Sequence, residues 1–180
     1  SATATQTESG SGPTVAWERN YSGEAYDVHL TAATQTADGG YALAGTGAPA
    51  GSDGAQYGMV KAAADGSTEW VAFADDDDPE TNDVSLCDVV QTADGGFVIV
   101  GYATNPTNGG DDRVGGKVAE AVKVTAGGDV SWVVQHDAFE DDESADLDSG
   151  NSDNSLFLTA TATDDGGFLA GGSFEGSAWL

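Results

Sequence analysis

The sequence predicts an all-β protein built from antiparallel four-stranded units in three copies. Three observations carry that expectation. The string QTADGGYALAG at 35–45 returns as QTADGGFVIVG at 91–101 and, more loosely, as ATDDGGFLAGG at 162–172, and self-similarity at a fixed spacing is the mark of a repeat architecture. Each copy sets Asp-Gly between two strand-like segments, a strong short hairpin signal because both residues tolerate the positive φ of a type I′ turn. A tryptophan opens each unit, at Trp17, Trp70 and Trp132.

Taken in order, the first unit is expected to have strands near 15–20, 27–35, 41–46 and 56–62. The second has them near 69–74, 83–91, 97–103 and 117–125, and the third near 131–136, 155–162, 168–173 and 177–180. Anchored on the DGG, the segments that feed the hairpins align as Asp27-Val28-His29-Leu30, Asp83-Val84-Ser85-Leu86 and Asn154-Ser155-Leu156-Phe157. A second tight turn, Ala-Asp-Gly-Ser at 64–67 and Ala-Gly-Gly-Asp at 126–129, joins a Lys-bearing strand to the Trp-bearing strand of the next unit, with Lys61 and Lys123 each nine residues before the tryptophan. GGKVAEAVKV at 115–124 can be argued as a short helix, but its alignment with Tyr57-Gly58-Met59-Val60-Lys61 favours a strand.

Over residues 15–180 the order Trp, strand, Q-T-x-D-G-G-[YF]-x-x-x-G, Lys strand, D-G-type turn, Trp resembles the β-propeller-like repeats of haloarchaeal and other prokaryotic secreted surface proteins. The resemblance implies a secreted or cell-surface setting and a β-propeller-like fold. Propellers generally have four to eight blades. Here the third unit reaches Trp179-Leu180 before its Lys position. The alternatives to a closed ring are a fragment of a longer array, an open or barrel-like stack, or a pairing completed by another chain or by the tail at 1–14. The expected division is a tether or pairing tail at 1–14 and one β-repeat domain at 15–180, with units at about 15–68, 69–130 and 131–180.

Charge defines the environment. Thirty-one acidic residues face five basic ones, a net charge of −26. Two unit charges about 10 Å apart in water repel by only about 0.4 kcal/mol, but a compact body sums many such pairs. Screening at about 1 M salt shortens the Debye length to about 3 Å and removes most of that repulsion, so the expectation is a protein that folds in concentrated salt. Nucleic acid and anionic membrane surfaces are excluded as partners by the same repulsion. Leu, Ile, Val and Phe together make less than 20% of the chain, which with high charge is the usual mark of disorder. Their periodicity argues instead for a core rich in Ala and Val. No apolar run is long enough for a spanning helix. The single cysteine, Cys87, leaves no intramolecular disulfide. Residues 1–12, SATATQTESGSG, read as the tether after a cleaved leader or equally as a boundary of the sequence.

Successive connections of an antiparallel meander alternate between the two ends of its sheets, so the short repeated turns share one end and the variable loops share the other. Loops that vary on a fixed scaffold are where function tends to sit. The densest acid falls there, in ADDDDPETND at 74–83 and DAFEDDESADLDSGNSDN at 137–154. Asp146, Asp148, Asn151 and Asp153 are the Ca²⁺ candidates, since hard cations take converging carboxylate and carbonyl oxygens, although no EF-hand spacing is present. Ca²⁺ is the one cofactor the sequence suggests, and hydrated surface is the plainer account of these runs. No catalytic residue is assigned: His29 aligns with Ser85 and Leu156, Cys87 reads as buried filler aligned with Thr31 and Leu158, and no nucleophile, zinc or phosphate-loop motif occurs. The tryptophans are expected in the core rather than in a sugar-stacking row. Lys61 and Lys123 are expected in structural ion pairs, with Asp27 or Asp83 as partners. The functional expectation is a non-enzymatic structural or adhesive surface protein that associates with itself or another surface protein through unpaired sheet edges. The alternatives are a module binding glycan, peptide or Ca²⁺, and a polysaccharide-active enzyme.

Overall fold

In the computed structural model, residues 15–21, 26–50, 56–74, 83–105, 116–136, 155–174 and 177–179 are described. Among them every regular element is a strand: β1 Tyr26–Gln35, β2 Tyr41–Pro49, β3 Gln56–Ala62, β4 Thr68–Ala74, β5 Asp83–Gln91, β6 Phe97–Asn105, β7 Gly116–Val124, β8 Val130–His136, β9 Ser155–Ala162, β10 Phe168–Phe174 and β11 Ser177–Trp179. They form three antiparallel sheets in simple sequential order, β1-β2-β3-β4, β5-β6-β7-β8 and β9-β10-β11. The segment at 115–124, open to a helical reading, is strand β7, paired on both sides by β6 and β8.

The sheets divide the chain at a different phase from the expected units. Each tryptophan strand is joined by its tight turn to the preceding lysine strand, so β4 closes the first sheet and β8 closes the second. Residues 15–20, expected as a strand, belong to none of the three sheets.

Five hairpin turns share one design, which differs from the type I′ turn expected. In the first, Thr36 N–H donates to Gly40 O at 3.0 Å and Gly39 N–H donates to Thr36 O at 2.9 Å. The second bond spans Thr36 to Gly39, making Ala37 and Asp38 the central residues of an ordinary turn and leaving Gly39 alone at φ +85. This is the three-residue hairpin loop closed by a left-handed glycine. The same pair of bonds closes 63–67, 92–96, 125–129 and 163–167.

The strand that opens each sheet also breaks its ladder at an equivalent place, between Leu30 and Ala32, between Leu86 and Asp88, and at Leu158. An extra residue there bends the strand towards its neighbour. The residue opposite is glycine in all three sheets: Gly45, Gly101 and Gly172. A Cβ at Gly101 would lie 3.0 Å from the carbonyl carbon of Ser85 and 3.1 Å from Leu86 Cα, and closer still to Ser85 O. The last glycine of the repeated string is therefore a steric requirement of the bulge.

The sheets stack face to face. Ala42, Ala44, Met59 and Ala72 of the first sheet meet Val89, Phe97, Ile99, Val122 and Val124 of the second. On the second sheet's other face, Val98, Val100 and Ala121 meet Ala170, with Phe157, Ala160 and Phe168 around it. Small residues on one face against larger ones on the next give the Ala- and Val-rich core that the composition foretold. The opening strands are bonded to one another across the layers, with Thr31 Oγ1 donating to Leu86 O at 2.9 Å and Ala160 N–H donating to Asp88 Oδ2 at 2.9 Å.

Candidate functional site

The calcium candidates Asp146, Asp148, Asn151 and Asp153 lie outside the described residues. Among the described residues no three His, Cys, Asp or Glu side chains converge on a metal-sized space. His29 and His136 are both exposed on strands.

Cys87 is a correction in detail. It is half-buried at the bulge of β5 rather than buried filler. Burial, and after it the neighbouring Asp88 carboxylate, push its thiol up, so the protonated form dominates at neutral pH.

The lysines do make structural ion pairs, but with other partners than Asp27 or Asp83. Lys61 Nζ lies 3.0 Å from Asp38 Oδ2 and 2.9 Å from Glu69 Oε2, and Lys123 Nζ lies 2.9 Å from Asp94 Oδ1 and also meets Thr92 Oγ1. Registry explains this: Lys61 sits opposite Ala42 and Lys123 opposite Val98, each two residues past the second glycine of a DGG turn. The turn aspartates are stabilised as anions. The Thr36 hydroxyl, the Gly40 N–H at 3.0 Å and the Lys61 ammonium hold Asp38 well below the usual carboxylate range. Thr92, Lys123 and Gly96 do the same for Asp94, while Asp165 has Thr163 and Gly167. Burial opposes the charge of Lys61, yet its bonds to Glu69 and Asp38 outweigh burial and push its pKa up. Lys117 lies over the Tyr102 ring, 4.4 Å from the centroid.

The tryptophans are packing residues with one recurring task. Trp70 meets Phe97 edge-on at 5.9 Å and Trp132 stacks on Phe168 at 6.2 Å, each reaching from the closing strand of one sheet to the first residue after the DGG of the next. Trp17 meets Tyr41 edge-on at 5.4 Å. It also lies against Gly66 in the tight turn, just as Trp70 lies against Gly128. Residues 15–21 thus rest on the first sheet as β4 rests on the second. Arg19 donates to Asp65 O at 3.3 Å and the buried Tyr21 hydroxyl to Gly66 O at 2.9 Å. Tyr21 covers Val60 and Ala62, with Leu30, Leu43 and Val71 around them.

What remains open is apolar surface on β8, the closing strand of the second sheet, and on the third sheet. Val130, Trp132 and Val134 on β8 are 38%, 36% and 53% exposed, and Leu158 and Leu169 on the third sheet are 52% and 48% exposed. These positions are covered elsewhere in the fold: Val134 aligns with Ala72 and Leu169 with Val98, both buried. A scan against protein-family models finds no match to this chain, and a search of curated proteins finds none either.

Proposed function

We propose that this chain is a non-enzymatic structural or adhesive module of a high-salt cell surface, made of three β-propeller-like repeats, that assembles through unpaired sheet edges. The repeat reading is supported by the five turns of one design, the three bulges faced by glycine, the two tryptophan-to-aromatic contacts between successive sheets and the matching contact of Trp17 on Tyr41. The observation that carries self-assembly is β8. It is the closing strand of its sheet, seven residues long, with Val130, Trp132 and Val134 exposed. A strand margin of this kind, with apolar residues exposed and no described strand beyond it, is a template for another strand. In a protein of net charge −26 such contacts form only where salt screens the approach.

Sedimentation velocity in about 2 M KCl, where the Debye length is under about 3 Å, tests the reading. A sedimentation coefficient that rises with protein concentration is expected. A single monomeric boundary at every concentration refutes self-assembly.

A further inference from the structure

We propose that copies of this chain stack head to tail, the outer face of the third sheet of one copy closing on the outer face of the first sheet of the next. The inference rests on the self-assembly reading and adds the two surfaces that meet.

The two internal interfaces supply the rule. One face of each sheet, at the position of Ala42 and Val98, packs against the face of the following sheet at the position of Phe97 and Phe168. The bulge side chain points the same way: the Thr31 hydroxyl reaches from the first sheet to Leu86 O in the second. On the third sheet those positions are Leu169 and Leu158, and both are about half exposed. They form the donor face of the same interface, with no described sheet upon it.

The first sheet presents the matching acceptor face. Tyr41 and Leu43 stand where Phe97 and Ile99 stand in the second sheet, and both are only partly buried. Trp17 already occupies the place on Tyr41 that Trp70 takes on Phe97. The segment carrying it therefore mimics the closing strand of a preceding sheet. Aligned on the tryptophans, Tyr21 corresponds to Ala74, which pairs with Tyr57 in β3. Ala178 of β11 is the Tyr57 equivalent, because Ser173 pairs with Ala178 as Thr46 pairs with Tyr57. Docking one copy's residues 15–21 along another copy's β11 thus sets Tyr21 opposite Ala178 and Asn20 opposite Trp179, and brings Leu158 and Leu169 over Tyr41 and Leu43.

Donor and acceptor are different surfaces, so the contact is heterologous and each added copy leaves one face of each kind open. Open chains rather than closed dimers follow.

The test uses two blocked variants in about 2 M KCl, Leu158→Thr/Leu169→Thr to spoil the donor face and Trp17→Ala to spoil the acceptor. The wild type is expected to form species larger than dimers, each variant alone to sediment as a monomer, and an equimolar mixture to form a 1:1 dimer and nothing larger. Because Leu158 and Leu169 are exposed, that variant keeps the fold. Added to wild type, it also shortens the assemblies by capping one end, a readout that stands if Trp17→Ala unfolds. Wild-type assembly that persists in the Leu158→Thr/Leu169→Thr variant overturns the stacking while leaving self-assembly intact. A monomeric wild type overturns both.

Discussion

Replacing Gly101 by alanine isolates the bulge that organises each sheet. The added methyl would come closer than van der Waals contact to Leu86 Cα and to the Ser85 carbonyl. These are backbone atoms, so relief requires the β5 bulge to retreat from β6 rather than a side chain to turn. Overpacking a buried site of this kind costs about 1–3 kcal/mol. A clash with backbone puts the cost in the upper part of that range, about 2–3 kcal/mol, and the unfolded chain, stiffened by loss of a glycine, returns about 0.4–1 kcal/mol, leaving a net loss of about 1–2.6 kcal/mol. For a domain of this size each kcal/mol moves the melting temperature by about 2–4 °C, so a drop of about 2–10 °C is expected. The control is Gly127→Ala, where a Cβ has its nearest neighbours at 3.8 and 3.9 Å and no left-handed φ stands in the way. Its melting temperature should stay level or rise slightly. Circular dichroism melts in concentrated KCl compare the two, and equal melting temperatures would refute the steric account of the repeated glycine.

Lys123→Met should lower the melting temperature, because Asp94 loses its cation and the turn loses the ammonium that binds Thr92; an unchanged melt removes the ion pair from the stabilising interactions. The same turns set an acid limit. Asp38, Asp94 and Asp165 have folded pKa values below the unfolded value of about 4, so their stabilisation is complete above that pH and is lost as pH falls through the folded values. Melts should therefore decline below about pH 4, with Asp94→Asn showing a shallower decline than wild type. Raising KCl from about 0.1 to 2 M should raise the melting temperature steeply through screening, and a flat response would contradict repulsion as the main burden of a −26 charge. Alkylation of Cys87 near pH 8 should be slower in the folded protein than in urea, reflecting its raised pKa; equal rates would show the bulge to be open.

The strand boundaries were legible because Asp-Gly turns and alternating residues are local signals, and QTADGG fixes both sides of its own hairpin. The grouping of strands was not. Trp70 repeats conspicuously and so reads as the start of a unit, but the ladder of the sheet ties it to Lys61 before it. Lys61 and Lys123 were recognisable as structural, whereas their partners depended on registry: the lysine lies opposite the second residue after a DGG turn, a relation visible only once β2 and β3, or β6 and β7, are paired. The bulges at Thr31, Cys87 and Leu158 had one trace in the sequence, the glycine that ends each repeated string, and its meaning emerges only when it is found facing a distorted strand. The exposed Leu169 could not be told from its buried counterparts Ala42 and Val98, since burial depends on whether another sheet follows.

The near identity of QTADGGYALAG and QTADGGFVIVG also raises a problem of bookkeeping during folding, because hairpins so alike can trade places or pair between molecules. The bulges distinguish them. Asp88 accepts the Ala160 N–H and the Thr159 hydroxyl of the third sheet, at 2.9 and 3.1 Å, whereas the corresponding position in the first sheet is Ala32, which has no side-chain acceptor. Thr31 in turn donates to Leu86 O, where the matching residue of the second sheet is the weaker donor Cys87. A swapped hairpin would leave these bonds unmade. One aspartate and one threonine thus serve as an address label, telling two nearly interchangeable hairpins which neighbour is theirs.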